Sequence, residues 1–256
     1  MNSAAAFRAL HDDPSIFVVV NVWDVASARA VAAVDGIEAL ATASHAIAAA
    51  HGFPDGEKIP LDLHLAAIER IAGAVDLPLS MDLEAGYGDP GETTRRAIAA
   101  GAVGANLEDQ AGPFDAAVAA VAAVTAAGKA AGVDFVLNAR TDVVLKPATG
   151  VGPEESIEDA IARGRAFLDA GAACVFVPGV KERAVIERLV AGIGERKISV
   201  LAGPGALPIS ELQELGVARA SLGPWSYRAA LTALQDVAAG LVGGGTLPAS
   251  VRADAV

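Results

Sequence analysis

Short apolar runs alternate with longer, alanine-rich amphipathic segments along most of this chain. The short runs predict buried β-strands, and the longer segments predict helices that pack over them. The predicted strands cover residues 17–21, 39–43, 77–82, 104–107, 135–139, 173–177, 198–202 and 219–222. The predicted helices cover residues 25–34, 61–75, 91–100, 114–131, 156–170, 181–191, 209–215 and 227–240.

Regular alternation of strand and helix is typical of parallel strands joined by right-handed crossovers. About eight such units in 256 residues predict an α/β protein, a single (β/α)₈ TIM-type barrel, rather than an open doubly wound sheet. No linker or change of composition divides the chain, so residues 1–256 are expected to form one domain. The periodicity is lost after Gly243, and residues 243–256 are expected to form a hinge and tail.

Composition narrows the class of protein. Hydrophobic residues make up 53% of the chain and aromatic residues only 4%, so Ala, Val and Leu must fill the core. No apolar stretch reaches the roughly 18 residues that cross a bilayer, so no membrane partner is expected. The N-terminus shows no secretory signal, and the single cysteine, Cys174, excludes an internal disulfide. These features predict a protein of the reducing cytoplasm.

The net charge of −12 argues against nucleic acid as a partner, because the chain repels a phosphate backbone. A small carboxylate substrate remains compatible with this charge if arginines and a metal ion dominate the local field.

Carboxylates stand at the ends of two successive predicted strands. Asp82 and Glu84 follow one apolar run, and alternate strand residues share a face. Glu108 ends the next run, and Arg140 ends the one after it. Ligands bind at the carboxyl ends of barrel strands, so these groups predict a site there. For Asp109 and Asp142, in contrast, a helix cap or a surface turn is the preferred interpretation.

Three converging carboxylates would repel one another and raise their pKa values unless a cation lay between them. A small carboxylate set that leaves room for water and substrate suits Mg²⁺ or Mn²⁺. Arg140 could grip a substrate carboxylate or stabilise an enolate. The alternative is an ion pair at the barrel rim with Asp142 or Glu108.

Three further residues leave two interpretations open. Asp55 lies between Pro54 and Gly56 in a long loop, and from the residues alone an ordinary turn is favoured. His45 either lines the pocket or begins a helix. Trp23 either roofs the site or belongs to the core.

In order along the chain, several motifs resemble the isocitrate lyase/phosphoenolpyruvate mutase family over nearly the whole length. They are Asn21-Val22-Trp23-Asp24, Ala41-Thr42-Ala43-Ser44, Gly52-Phe53-Pro54-Asp55-Gly56, Asp82-Leu83-Glu84-Ala85-Gly86-Tyr87-Gly88, Asn106-Leu107-Glu108-Asp109 and Asn138-Ala139-Arg140-Thr141-Asp142. The resemblance implies a Mg²⁺-dependent barrel enzyme that acts on 2-oxo or 2-hydroxy carboxylates. It also implies homo-oligomers, dimers or tetramers, in which a C-terminal helical extension is swapped between subunits.

The resemblance also assigns roles to residues. Asp82, Glu84 and Glu108 would hold the metal directly or through water. Substrate would be bound by Trp23, Thr42, Ala43, Ser44 and Arg140, with the carboxylate held largely by backbone N–H groups of the three residues 42–44. Asp55 becomes a catalytic carboxylate, and Arg140 becomes the clamp on the substrate.

One family motif is absent. Isocitrate and methylisocitrate lyases carry a Lys-Lys/Arg-Cys-Gly-His loop after the fourth strand, and its cysteine donates a proton. Here residues 110–114 read Gln-Ala-Gly-Pro-Phe, and the lysine and asparagine of the mutase loop are missing too. This departure argues against both named activities for this chain.

The leading hypothesis is therefore a Mg²⁺-dependent lyase that cleaves a C–C bond beside a carboxylate through an enolate and releases pyruvate or a related 2-oxoacid. The alternatives are P–C bond hydrolysis or migration on a phosphonopyruvate-like substrate, and a catalytically silent carboxylate-binding barrel.

Overall fold

A computed structural model describes residues 4–252 of the chain, in which parallel strands close into a barrel in the order β1 to β8. The strands are β1 (Phe17–Val22), β2 (Leu40–Thr42), β3 (Leu79–Asp82), β4 (Gly104–Glu108), β5 (Val136–Arg140), β6 (Cys174–Phe176), β7 (Ile198–Leu201) and β8 (Arg219–Ser221). The helices are α1 (Ala4–Asp12), α2 (Val25–Ala32), α3 (Ser44–Ala50), α4 (Leu61–Ala72), α5 (Pro90–Ala99), α6 (Phe114–Ala130), α7 (Pro153–Asp169), α8 (Arg183–Ile193), α9 (Ile209–Glu214) and α10 (Trp225–Val242).

The predicted (β/α)₈ barrel is confirmed, since each predicted strand and helix overlaps an observed one. Two observed helices were not predicted. The helix α1 precedes the first strand, outside the alternation that the pattern detects, and α3 is a short alanine-rich helix that directly follows β2, before the predicted long loop. Residues 1–3 of the N-terminus and residues 253–256 of the predicted tail lie outside the described residues.

Strand register fixes which side chains point into the barrel. Asp82 lies beside Asn106, and Glu108 lies beside Arg140. Because side chains alternate along each strand, these four share the inner face. Apolar side chains of the outer face pack against the helices and form the larger hydrophobic cluster. These four polar side chains therefore lie towards the carboxyl ends of their strands.

The opposite end of the barrel is closed by α1. The Phe7 ring reaches the backbone of Gly104, where a Cβ atom would lie 2.5 Å from that ring. His11 packs against Phe7 and Phe17 and is buried. Any larger residue at position 104 would displace the helix.

Burial of His11 makes stability depend on pH. Burial and the charge of Arg219 lower the pKa of His11 from 6.5 to about 3. As pH falls below 6.5, the unfolded chain binds a proton that the folded chain does not. The contribution of neutral His11 to the free energy of unfolding is therefore complete above pH 6.5 and is lost progressively towards pH 3. At pH 5 the loss is about 2 kcal/mol.

Lowering the pH from 7 to 5 should reduce the free energy of unfolding of both proteins. We expect the reduction to be about 2 kcal/mol smaller in His11→Leu than in the wild type. Urea unfolding at both pH values measures the difference. His64, whose pKa burial also lowers, to about 4, remains in both proteins and serves as the internal reference. Equal losses in the two proteins would refute the assignment to His11.

The last helix differs from the others. Of its residues none is buried, and Leu231, Leu234, Leu241 and Val242 are exposed. Residues 243–252 contain no helix or strand. Within residues 4–252, no helix combines the length and apolar character needed to cross a membrane.

Candidate active site

A cavity of about 340 Å³ opens at the carboxyl ends of the strands. It brings together seven of the predicted site residues: Ala43, Ser44, Asp55, Asp82, Glu84, Glu108 and Arg140. Trp23 and Thr42 are not among the residues that line it. This is the end of a parallel barrel at which ligands bind.

Asp82 is the last residue of β3 and points into the cavity. Its Oδ2 atom accepts hydrogen bonds from the Ser44 backbone N–H at 3.1 Å and from the Ser44 hydroxyl at 2.7 Å. The backbone N–H of Asp82 donates to the Thr42 hydroxyl at 3.0 Å. These bonds fix the carboxylate against the start of α3, while Oδ1 receives only a long contact of 3.4 Å from the Glu84 N–H.

Glu84 reaches the same cavity by a different route from the one predicted. The strand ends at Asp82, and Glu84 has a φ of 52°, so the argument that both carboxylates share one strand face is wrong. The turn nevertheless directs Glu84 into the cavity. Burial raises the pKa of Glu84 to about 7, and neighbouring Asp82 adds to the rise. A buried carboxylate with a raised pKa is typical of a functional site.

The groups that hold Glu84 were not predicted from the sequence. The backbone N–H of Glu57 donates to its Oε2 atom, and the Tyr87 hydroxyl donates to its Oε1 atom at 2.9 Å. His64 Nδ1 lies 3.0 Å from the Tyr87 oxygen. Burial raises the pKa of Tyr87, so its hydroxyl keeps the proton that it donates. The Tyr-Gly pair that follows Glu84 was the only sequence signal for this arrangement.

Arg140 forms ion pairs at the barrel rim, which was the alternative to substrate binding in the sequence analysis. Its Nε lies 2.7 Å from Asp142 Oδ1, and its Nη1 lies 2.9 Å from Glu108 Oε2. Both carboxylates raise the pKa of Arg140 against the opposing effect of burial. Burial in turn raises the pKa of Glu108, and Arg140 opposes that rise. The guanidinium is therefore held rigidly beside the cavity, and its Nη2 edge is the part left for a ligand.

Asp109 and Asp142 are not surface residues. Asp142 is fully buried and binds both Arg140 and Lys146. Asp109 accepts hydrogen bonds from Thr141 and from Arg163, whose side chain is also buried. Asp109 begins a turn, as expected, because its Oδ1 accepts the Ala111 N–H at 2.8 Å, but both side chains are buried, so the expected surface position is wrong. The reason is that each carboxylate is paired with an arginine: Arg163 of α7 binds Asp109, and Arg140 of β5 binds Asp142.

Among the predicted substrate-binding residues, Trp23 lies outside the cavity, and polar groups of Thr42, Ala43 and Ser44 are bonded within the protein. The ring of Trp23 packs at 5.0 Å against that of Tyr227, beside a separate groove. The Thr42 hydroxyl is occupied by Asp82 N–H. The Ala43 N–H donates to Val22 O at 3.2 Å, and the Ser44 N–H is held by Asp82. Substrate binding by these residues stays a prediction.

Asp55 and His45 face each other at the mouth of the cavity. His45 is the second residue of α3, so it both begins a helix and lines the cavity. Its Nδ1 atom lies 3.7 Å from Asp55 Oδ2. Asp55 therefore lines the cavity as well as forming part of a turn. From the residues alone, only the turn was favoured.

The carboxylate donors suit a hard divalent cation in chemistry, since all three offer oxygen. They are not preassembled: among residues 4–252, no three His, Cys, Asp or Glu side chains are gathered closely enough to hold an ion. Glu84 uses both oxygens on Glu57 and Tyr87, and Glu108 uses one on Arg140. An ion would have to replace some of these bonds.

Two cations at the cavity were not identified from the sequence. Lys146 and Arg228 both line it, from the segment after β5 and from α10. Lys146 is bound to Asp142 at 3.0 Å. Cys174, by contrast, is buried, and burial raises the pKa of its thiol to about 11.

Comparisons with known proteins give the family. The family model described as phosphoenolpyruvate phosphomutase matches residues 7–242. An uncharacterized protein of Mycobacterium tuberculosis is 32% identical, over 96% of this chain and 92% of that protein. An oxaloacetate decarboxylase of Rhodopseudomonas palustris is 30% identical, over 73% of this chain and 65% of that enzyme.

A solved structure supports the same assignment. A Burkholderia cenocepacia protein, provisionally described as a phosphonomutase, is 42% identical with a TM-score of 0.86, and the match covers 93% of this chain and 100% of that one. The chain therefore belongs to the phosphoenolpyruvate mutase/isocitrate lyase superfamily, whose members are lyases and mutases.

Proposed function

We propose that this protein is a Mg²⁺- or Mn²⁺-dependent lyase that cleaves a C–C bond of a 2-oxo or 2-hydroxy carboxylate through an enolate and releases pyruvate or a related 2-oxoacid. The observation that carries the proposal is the meeting of Asp82, Glu84, Glu108 and Arg140 around one cavity. A divalent cation held by these acids, with the guanidinium beside it, would suit a substrate that carries negative charge and gains more as its bond breaks.

The similarity to an oxaloacetate decarboxylase supports C–C chemistry in particular. A divalent ion held by Asp82, Glu84 and Glu108 would supply Lewis acidity for the substrate oxygens. Asp82 is suited to direct coordination, because Ser44 fixes its Oδ2 atom and leaves Oδ1 with only a long contact. Tyr87 and Glu57 orient Glu84 from behind, as outer-shell groups commonly do.

The chain's own residues provide the remaining functions. Arg140 is oriented by two ion pairs and offers its outer edge to a substrate carboxylate or enolate. Asp55 stands at the cavity mouth, where it can accept a proton from a 2-hydroxyl group or orient the reacting group. Leu145, Phe176, Pro178 and Leu201 form an apolar wall that limits water around the reacting carbon.

We also propose that the protein is a homo-oligomer, a dimer or tetramer, in which α10 packs on a second copy of the chain. Four apolar side chains of α10 are exposed, and none of its residues is buried within the chain. Burying such a surface would remove apolar area from water.

A P–C bond hydrolase or mutase is the second candidate. The sequence predicted one cation at the site, Arg140, and it is bound to two carboxylates. Lys146 and Arg228 also line the cavity, and they add the positive charge that such a group requires. The family description and the similar Burkholderia protein favour the same candidate.

Separate incubations with oxaloacetate, methylisocitrate, dimethylmalate and phosphonopyruvate distinguish these functions. We expect Mg²⁺-dependent formation of a 2-oxoacid from one of the first three, measured by a coupled dehydrogenase assay, and its loss in EDTA. Phosphate release or rearrangement of phosphonopyruvate alone would establish the second candidate. Calorimetric binding of oxalate with Mg²⁺, without conversion of any substrate, would indicate a silent binding barrel and contradict both.

A further inference from the structure

The proposed C–C cleavage requires an acid, because the enolate that leaves must receive a proton on carbon. The loop that carries this acid in related lyases reads Gln-Ala-Gly-Pro-Phe here, over residues 110–114. Gln110 lines the cavity, but an amide does not supply a proton. The donor must therefore come from another element.

Most charged groups that line the cavity are committed elsewhere. Asp82, Glu84 and Glu108 are the proposed metal ligands, and Arg140 is bound to two carboxylates. Lys146 is bound to the buried Asp142. Arg228 carries a guanidinium, which does not give up its proton in proteins.

His45 and Asp55 are the remaining titratable groups that line the cavity, and Asp55 is the proposed base, so the position of His45 suits the task. Its side chain is about one-third exposed and lines the cavity. Asp55 lies 3.7 Å from Nδ1, a distance at which the carboxylate attracts a protonated imidazole. The Tyr227 ring lies edge-on to the imidazole, with the two ring centroids 6.5 Å apart. With Nδ1 facing Asp55, Nε2 is the nitrogen left for a ligand.

Resting on the proposed lyase function, the geometry points to His45 as the catalytic acid that protonates the enolate carbon, with Asp55 as its counter-ion. When the C–C bond breaks, its electron pair becomes the enolate. The N–H bond of the His45 imidazolium then breaks, and the enolate pair forms the new C–H bond with that proton. The neutral imidazole regains a proton from water at its exposed face, or from Asp55 after that group has taken one from a 2-hydroxyl. Imidazole exchanges protons readily near neutral pH.

His45→Ala tests this assignment, and His51→Ala is the matched control. His51 follows the same helix, but its Nδ1 is bound to Ile47 O at 2.9 Å and it borders the separate groove rather than the cavity. On the substrate identified above, we expect His45→Ala to lower kcat at least about 100-fold, and His51→Ala to change it less than twofold. Thermal unfolding should be similar in both variants, because His45 is partly exposed.

Two readouts separate proton donation from a structural role. Added imidazole should restore activity to His45→Ala, since the vacated space adjoins the open cavity, and should not affect the wild type. In D₂O with Mg²⁺ and both products, the wild type should exchange carbon-bound hydrogen in one product, as measured by ¹H NMR, and His45→Ala should not.

Each outcome bears on a different claim. If the wild type cleaves its substrate and His45→Ala retains full turnover and exchange, the assignment of His45 is wrong and the lyase proposal stands. If His45→Ala loses activity that imidazole does not restore while exchange continues, His45 is not the acid. If the wild type cleaves no C–C substrate, the proposed function itself fails.

Discussion

Asp82→Ala is expected to lower metal-dependent kcat/KM at least about 10³-fold, which corresponds to about 4 kcal/mol of transition-state stabilisation. Asp82 is the carboxylate best prepared for a cation, because two bonds from Ser44 hold its Oδ2 atom and Oδ1 receives only a long contact. Alanine removes both the charge and the anchor for the start of α3. Turnover should be measured with and without EDTA on the substrate identified in the panel.

Asp82→Asn is the matched variant, since it keeps an oxygen that can accept from the Ser44 N–H but lacks the negative charge. If charge on a cation is what matters, it should be nearly as inactive as alanine while unfolding at a temperature close to that of the wild type. Asp62→Ala, at an exposed residue of α4, controls for loss of an acidic side chain away from the cavity. Activity above one-tenth of wild type in Asp82→Ala, or full wild-type activity in EDTA, would refute the metal site.

Asp109→Ala is expected to lower the free energy of unfolding by about 3–5 kcal/mol, because it breaks a buried ion pair from one side. The Arg163 guanidinium lies 3.0 Å from Asp109 Oδ2, and the two side chains are 7% and 2% exposed. Asp109 also accepts from the backbone N–H groups of Ala111 and Asp142, at 2.8 and 2.9 Å. Without it, a buried positive charge loses its main counter-ion.

Urea unfolding at pH 7 measures this loss, and Asp134→Ala provides the comparison. Asp134 pairs with Arg8 at 2.7 Å, but the two side chains are 55% and 28% exposed, so its removal should cost at most about 1 kcal/mol. Similar losses in the two variants would show that the pair of Asp109 with Arg163 contributes no more than a surface pair. Asp109→Ala should also reduce activity, because the segment it holds carries Asp142, which orients Arg140.

The positions of the acidic residues that end buried strands could be predicted from the sequence. Asp82 and Glu108 end strands whose register is set by apolar alternation, and both line the cavity as expected. Glu84 was placed correctly for an incorrect reason, since the turn after β3 directs its side chain. No local pattern gives the angle of such a turn.

The roles of several other residues depend on contacts with segments far away in the chain. Asp109 meets Arg163 across 54 positions, and Asn21 meets the N–H of Gly223 across 202. The sequence left Trp23 either above the site or in the core, and the structure packs its ring on Tyr227, which the closing of the barrel brings beside it. These contacts leave no periodic trace in the sequence.

By itself the sequence determined the barrel, its strand order and the end at which chemistry-bearing side chains collect, because apolar periodicity and strand alternation act over a few residues. Only the tertiary structure decided that Arg140 is ion-paired on two sides, that Tyr87 and Glu57 hold Glu84, and that His45 faces Asp55. The physical reason is that hydrogen bonds and ion pairs depend on distances of a few ångströms between segments far apart in the chain, and closure of the barrel sets those distances.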